Sequence, residues 1–144
     1  MGDVTRLRPP TDGVTAPNTI TPAEMKSLIE WLGLTKNWFA ERVGVAERQV
    51  ARWVDGHAPI PDRAAGELIK VWNEAAEQIH RTIATAAVNA DDDGVIILHT
   101  YRVDKDYPAD YPSAYHRALM CRAVDHLLMR TKYRVQIHYH EGNP

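Results

Sequence analysis

Apolar residues in this chain keep helical time first and strand time later. From Thr21 to Ala87 they recur every three or four residues. After Gly94 come a continuous apolar run, VIILHTY, another helical stretch, and a strict alternation, YRVQIHYH. Thr21-Pro22-Ala23-Glu24 opens the first helix: Thr21 can cap, Pro22 suits the first turn, and Glu24 completes a capping box. Met25, Leu28, Ile29 and Leu32 form its buried stripe, and Gly33 ends it. Thr35 caps a second helix running to about Val43. A third runs from about Ala46 to Val54, closed by Asp55-Gly56. After the proline-bounded connector His57 to Pro61, a long helix is expected from about Pro61 to Ala87, on Ala65, Leu68, Ile69, Trp72, Ala76, Ile79 and Ile83. It exceeds a typical globular helix. Part of it must pack on the first three helices, and the rest needs the C-terminal segment or a second subunit.

Asn89 to Gly94, NADDDG, breaks the composition and is the expected domain boundary. No ligand-spaced carboxylate follows its aspartates, so it reads as a solvated turn rather than a metal loop. Val95 to Tyr101 reads as a strand and Asp104 to Pro112 as a loop. Ser113 to Met129 reads as a helix with Tyr115, Leu119, Ala123 and Leu127 on one face. Tyr133 to His140 is expected as a half-buried strand, with Tyr133, Val135, Ile137 and Tyr139 facing inward. Two strands and one helix make a marginal sheet alone, so a second copy is expected to complete the sheet or cover its face.

The most informative stretch is Leu34 to Gly56, LTKNWFAERVGVAERQVARWVDG. Phe39, Ala40 and Val43 share a helical face, Gly44 and Val45 interrupt, and Val50 and Trp53 resume. Gly44 falls where a helix must stop and turn, and glycine takes a left-handed backbone there at no steric cost. Ala40 is small enough for a second helix to cross closely. Two short helices joined by a tight glycine turn make a helix-turn-helix. The stretch resembles the Cro/C1 (lambda-repressor-like, XRE) helix-turn-helix family. Ala40, Gly44-Val45, Val50, Trp53 and Gly56 fall where that family has a small residue, the turn, a buried aliphatic, a buried large apolar residue and a helix-ending glycine. The resemblance covers roughly Thr21 to Asp62. Lys36 stands where the family usually has Gln, Ala46 where it often has a capping Ser or Thr, and Val54 where Glu is frequent. The order of parts is also similar, more loosely, to that of the anti-CRISPR-associated regulators.

The periodicity and the resemblance together imply a fold, and the resemblance implies a site. The fold is mainly α: residues 1–20 a flexible arm, 21–90 a lambda-repressor-like helix-turn-helix bundle with a long helix, and 91–144 an α+β strand-helix-strand segment for dimerisation. Lys36 and Asn37 fall at the phosphate-gripping start of the second helix. Glu47, Arg48 and Arg52 fall at base-reading positions, with Gln49 beside them, and His57 just past the third helix is placed to touch the backbone. The chemistry agrees, since Arg can bond two acceptors of guanine and Glu can accept from the cytosine amino group. Outside that frame, the same charges would read as an ordinary solvated helix face. Trp53 lies on the Val50 face and is expected in the core rather than stacking on a base.

Composition narrows the setting. The chain has 144 residues, 44% hydrophobic and 25% charged, ordinary for a soluble globular protein. No apolar run approaches a membrane span, and MGDVTRLRPPTDG has no apolar core of a signal peptide. The single cysteine, Cys121, is expected as a small apolar residue inside a helix; it cannot form an internal disulfide, which fits a reducing bacterial or phage-infected cytoplasm. A net charge of −2 argues against strong non-specific nucleic-acid binding. A local basic face would have to come from Lys36, Arg42, Arg48 and Arg52, diluted by Glu41 and Glu47. Arg6 and Arg8 in the arm could reach a minor groove, although a solvated tail is the simpler expectation.

The leading expectation is therefore a homodimeric repressor binding double-stranded DNA at an inverted repeat, with no catalysis, no cofactor and no membrane partner. A rival from another class is an antitoxin, whose C-terminal segment masks a toxin protein while DNA binding autoregulates. The third is a metal-dependent enzyme using His138 and His140, joined by His126 or His116. No cysteine or carboxylate is placed to complete a tetrahedral set, so no metal site is expected.

Overall fold

The computed structural model describes residues 19–86 and 88–141. The expected arm lies almost wholly outside the described residues, and Arg6 and Arg8 with it. The protein is mainly helical, with a small two-stranded parallel sheet near the C-terminus. In chain order the elements are α1 (Pro22–Trp31), α2 (Lys36–Val43), α3 (Glu47–Val54), α4 (Asp62–Ala86), β1 (Val95–Thr100), α5 (Ser113–Arg130) and β2 (Arg134–Tyr139). Among the described residues no helix is long and apolar enough to cross a membrane.

The chain forms two compact units, one ending at Asn73 and the other beginning at Glu74, so the division falls inside α4. In the first unit the expected capping box is present at α1. Thr21 Oγ1 accepts from Glu24 N at 3.0 Å, while Glu24 Oε1 accepts from Thr21 N at 2.8 Å. Met25, Leu28, Ile29 and Leu32 are buried as their spacing predicts, together with Phe39, Ala40 and Val43 of α2 and Val50 and Trp53 of α3. The start of α4 closes this core with Ala64, Ala65, Leu68, Ile69 and Trp72. Trp72 packs on Trp31 with ring centroids 4.9 Å apart. Beyond Trp72 the buried position is Ala75 rather than Ala76, and Ile79 and Ile83 are only half-buried. The stripe read from the sequence is therefore more regular than the face the helix buries.

In the second unit, the partner of late α4 is the C-terminal segment. Gln78, Thr82, Thr85 and Ala86 face a cavity that Ile96, Leu98, His116 and Met120 also line. Asp91 Oδ1 accepts from the backbone of both Asp93 and Val95 at 2.9 Å, which makes the acidic stretch a hydrogen-bonded turn into β1. The chain then passes through a short 3-10 turn at Asp104–Asp106 into α5, whose Tyr115, Leu119, Ala123 and Leu127 are all buried. Asp104 Oδ1 accepts from both the backbone and hydroxyl of Ser113, which lowers the Asp104 pKa. Cys121 lies inside a helix, α5, as expected, and is exposed there.

β2 pairs with β1 in parallel, in the register Val95↔Arg134 through Thr100↔Tyr139. The expectation of a half-buried β2 is corrected. Val135 is half-buried, but Ile137 and Tyr139 are 36% and 41% exposed. The residues of β1 on that same face, Ile96, Leu98 and Thr100, are buried instead. The alternation does mark two faces, but among the described residues the inward one is covered only in part along β2, by α5 and by the Arg102 guanidinium, which lies 4.2 Å from the Tyr139 ring centroid.

Candidate nucleic-acid interface

The helix pair α2–α3 is held by its ends and by its core. Thr35 has extended backbone, φ −118° and ψ 161°, and its hydroxyl accepts from Trp38 N at 3.0 Å, so α2 begins at Lys36. At the other end Gly44 has φ 77° and ψ 36°. Val45 N donates to Ala40 O at 2.9 Å and Gly44 N to Glu41 O at 3.3 Å, a Schellman closure that turns the chain within two residues. α3 ends in the same closure, with His57 N donating to Arg52 O at 2.8 Å. Its start is weaker. Ala46 has the extended backbone of a cap, φ −73° and ψ 150°, but no side-chain oxygen to use there.

Val50, Trp53 and Val54 bury the inner side of α3, and Trp53 is only 2% exposed, in the core as expected. Its indole N–H is buried without a hydrogen-bond partner. That costs about 1–3 kcal/mol, less than the burial of a ring this size returns at about 25 cal/mol per Å². The exposed side follows from the 100° step of the helix. Arg48 and Arg52 stand four residues apart on one face, opposite Val50, with Ala51 and Asp55 flanking them on the Glu47 side. Both are exposed. Arg48 has no hydrogen-bond or ion-pair partner among the described residues, while Arg52 Nη2 reaches the His57 carbonyl at 3.3 Å.

The other sequence-derived residues separate into groups. Glu47 is exposed but lies about 100° round the helix from Arg48, on the Val54 side. There it lines a shallow cavity of about 270 Å³ with Lys36, Thr35, Lys26 and Glu30. Lys36 and Asn37 are exposed as the first two residues of α2, where backbone N–H groups have no intrahelical acceptor. Gln49 is half-buried. His57 is exposed beside Gly56 and lines another shallow cavity with Pro22, Pro59 and Asp62.

Arg42 does not contribute to a basic face. Its Nε is 2.7 Å from Glu67 Oε2, and its guanidinium lies over the Trp38 ring at 5.2 Å. The hydrogen bond from Arg42 is the main reason that the Glu67 carboxyl titrates below its usual range. Arg63, which the sequence did not single out, donates to the Val43 carbonyl at 2.7 Å. Both contacts tie α2 to the start of α4 across 20 or more residues of sequence.

The histidines group differently from expectation. His116 is buried, and its Nδ1 is 2.8 Å from Thr100 Oγ1. The residue that joins His138 and His140 on the open sheet face is His99, the register partner of His138, with ring centroids 6.5 Å from each. Among the described residues no group of three or more His, Cys, Asp or Glu could hold a metal ion.

No protein-family model matches the chain, and no curated protein matches it.

Proposed function

We propose that this chain is a sequence-specific DNA-binding regulator of transcription, acting as a dimeric repressor at an inverted repeat. One observation carries the proposal. Arg48 and Arg52 stand side by side on the outer face of a short helix whose inner face is anchored by Val50, Trp53 and Val54. Such a helix can enter a major groove as a rigid rod, and its arginines can each take two acceptors of a guanine. Exposed arginines on a mobile loop would lose more entropy on binding.

Lys36 and Asn37 at the start of α2 supply phosphate contacts that set the approach of α3. Glu47 faces the Lys36 side, so it serves to orient or screen Lys36, or to accept from a cytosine at the groove wall. With Arg42 paired to Glu67, each subunit offers few free cations and the salt dependence of binding should be shallow. Two subunits would place their α3 helices in successive major grooves about 34 Å apart. Occupying a promoter then represses it by exclusion.

Mobility-shift titrations test the reading. Arg48→Ala and Arg52→Ala should each weaken specific binding by about 1–3 kcal/mol and relax base preference at one position, while Lys36→Ala weakens all sequences alike. Unchanged affinity in both arginine variants would remove the groove assignment.

A further inference from the structure

The outer edge of β2 has a definite chemistry. Arg134 N donates to Gly94 O at 3.0 Å and His140 N to Thr100 O at 2.6 Å, so these residues turn their backbone toward β1. In a parallel ladder, both backbone groups of one residue point the same way and alternate along the strand. Gln136 and His138 therefore also face β1, while Val135, Ile137 and Tyr139 present their N–H and C=O outward. The side chains of the same three residues line the inner face, which α5 and Arg102 cover only in part. Beside them lies a cavity of about 250 Å³ lined by Arg117 and Cys121 of α5 with Ile137 and Tyr139. An exposed edge is normally blunted by lysine, proline or a bulge. RVQIHY has none of these, and its only fully charged residue, Arg134, is at the end.

We propose that β2 pairs antiparallel with β2 of a second copy of this chain, about a two-fold axis through Ile137. In that register Ile137 exchanges both backbone hydrogen bonds with its own counterpart. Val135 lies opposite Tyr139 of the partner subunit, and Tyr139 opposite Val135 of the partner subunit, giving about six new hydrogen bonds. On the inner face every pair is apolar or aromatic, a favourable cross-strand combination. On the outer face Gln136 meets His138 of the partner subunit, the same amide–imidazole pairing that joins Gln136 and His138 within the strand at 2.9 Å. A register centred on Gln136 pairs as many residues of the strand, but only Val135 and Ile137 then exchange hydrogen bonds within it, about four bonds in place of six. The result is a four-stranded sheet, β1-β2-β2-β1, carrying two α5 helices, in place of a two-stranded sheet that is marginal in isolation. The choice of a second copy over a foreign strand rests on this self-matching and, in part, on the regulator reading, which needs two α3 helices.

The full chain is tested without DNA. Sedimentation equilibrium should show a dimer, and Ile137→Lys, which puts two ammonium groups face to face at the axis, should raise its dissociation constant at least tenfold. Ile137 is 36% exposed, so the far-ultraviolet circular dichroism and melting of the monomer should be kept. In a Cys121→Ser background, Ile137→Cys should form a disulfide-linked dimer on mild oxidation, because hydrogen-bonded antiparallel partners lie about 5.5 Å apart at Cα. Gln136→Cys in the same background should link far less, since its opposite residue is position 138. A chain that stays monomeric at high micromolar concentration overturns the proposal. So does equal linking at both positions, or a dimer indifferent to Ile137→Lys. A dimer with no affinity for DNA would sink the regulator reading and leave this one standing, and a monomer that binds a half-site would do the reverse.

Discussion

Acid should destabilise this protein through one buried side chain. His116 is 8% exposed, its Nδ1 is shared with Thr100 Oγ1, and the rings of Tyr101 and Tyr107 pack on it at 5.1 and 5.0 Å. Burial lowers its pKa from 6.5 to about 4, because an imidazolium there would be stripped of water. Between those two values the unfolded chain binds a proton that the folded chain refuses. Stability therefore rises with pH through this window and falls as pH drops from the unfolded value toward the folded one. With these two pKa values the loss is about 2 kcal/mol near pH 5 and about 3 kcal/mol below pH 4. Glu67 and Asp104 also have lowered pKa values, so their stabilisation is likewise lost on acidification. The assay is therefore a difference: urea melts of the parent chain and of His116→Gln, from pH 7.5 to pH 4.5. Glutamine can bond Thr100 and does not titrate, so the carboxylate contributions cancel. The gap between the two stabilities should shift by about 2 kcal/mol in favour of the variant as pH falls to about 5. Parallel curves would refute a buried neutral imidazole.

Two further substitutions test the α2–α3 turn. Gly44→Ala meets no heavy atom within 4 Å of the added methyl, so its cost is the left-handed backbone alone, about 1–2 kcal/mol in a chemical melt. A loss well above this would mean that the turn is held by packing. Ala46→Ser should stabilise by about 1 kcal/mol, since the extended backbone at this position already suits a capping hydroxyl. An unchanged melt would mean that the α3 start has no free N–H to satisfy.

Local chemistry explains what the sequence made legible. Thr21 and Glu24, Thr35, and the glycines at 33 and 44 act within a few residues of chain, and the helix ends follow them closely. The α3 face was legible for the same reason, because a helix period alone separates Arg48 and Arg52 from Trp53. What escaped were pairings set by distant chain. Arg42 looks like a free cation until α4 brings Glu67 to it. The place of His99 beside His138 depends on the parallel register, which no local signal encodes. The alternation in β2 indicates a face that suits cover, but not which molecule supplies it. Cys121 shows the limit of residue preference, since its position on α5 faces outward whatever its side chain favours.

The most direct test of the central claim is selection of duplex fragments by the purified full chain from a random pool, followed by sequencing. The account predicts enrichment of an inverted repeat with half-sites centred one helical turn, about 10 base pairs, or a multiple of it, apart. Repeating the selection with Arg48→Ala should blur one base pair in each half-site. A pool that stays random after repeated rounds, or an enriched motif that Arg48→Ala and Arg52→Ala leave untouched, would contradict the claim that α3 reads DNA.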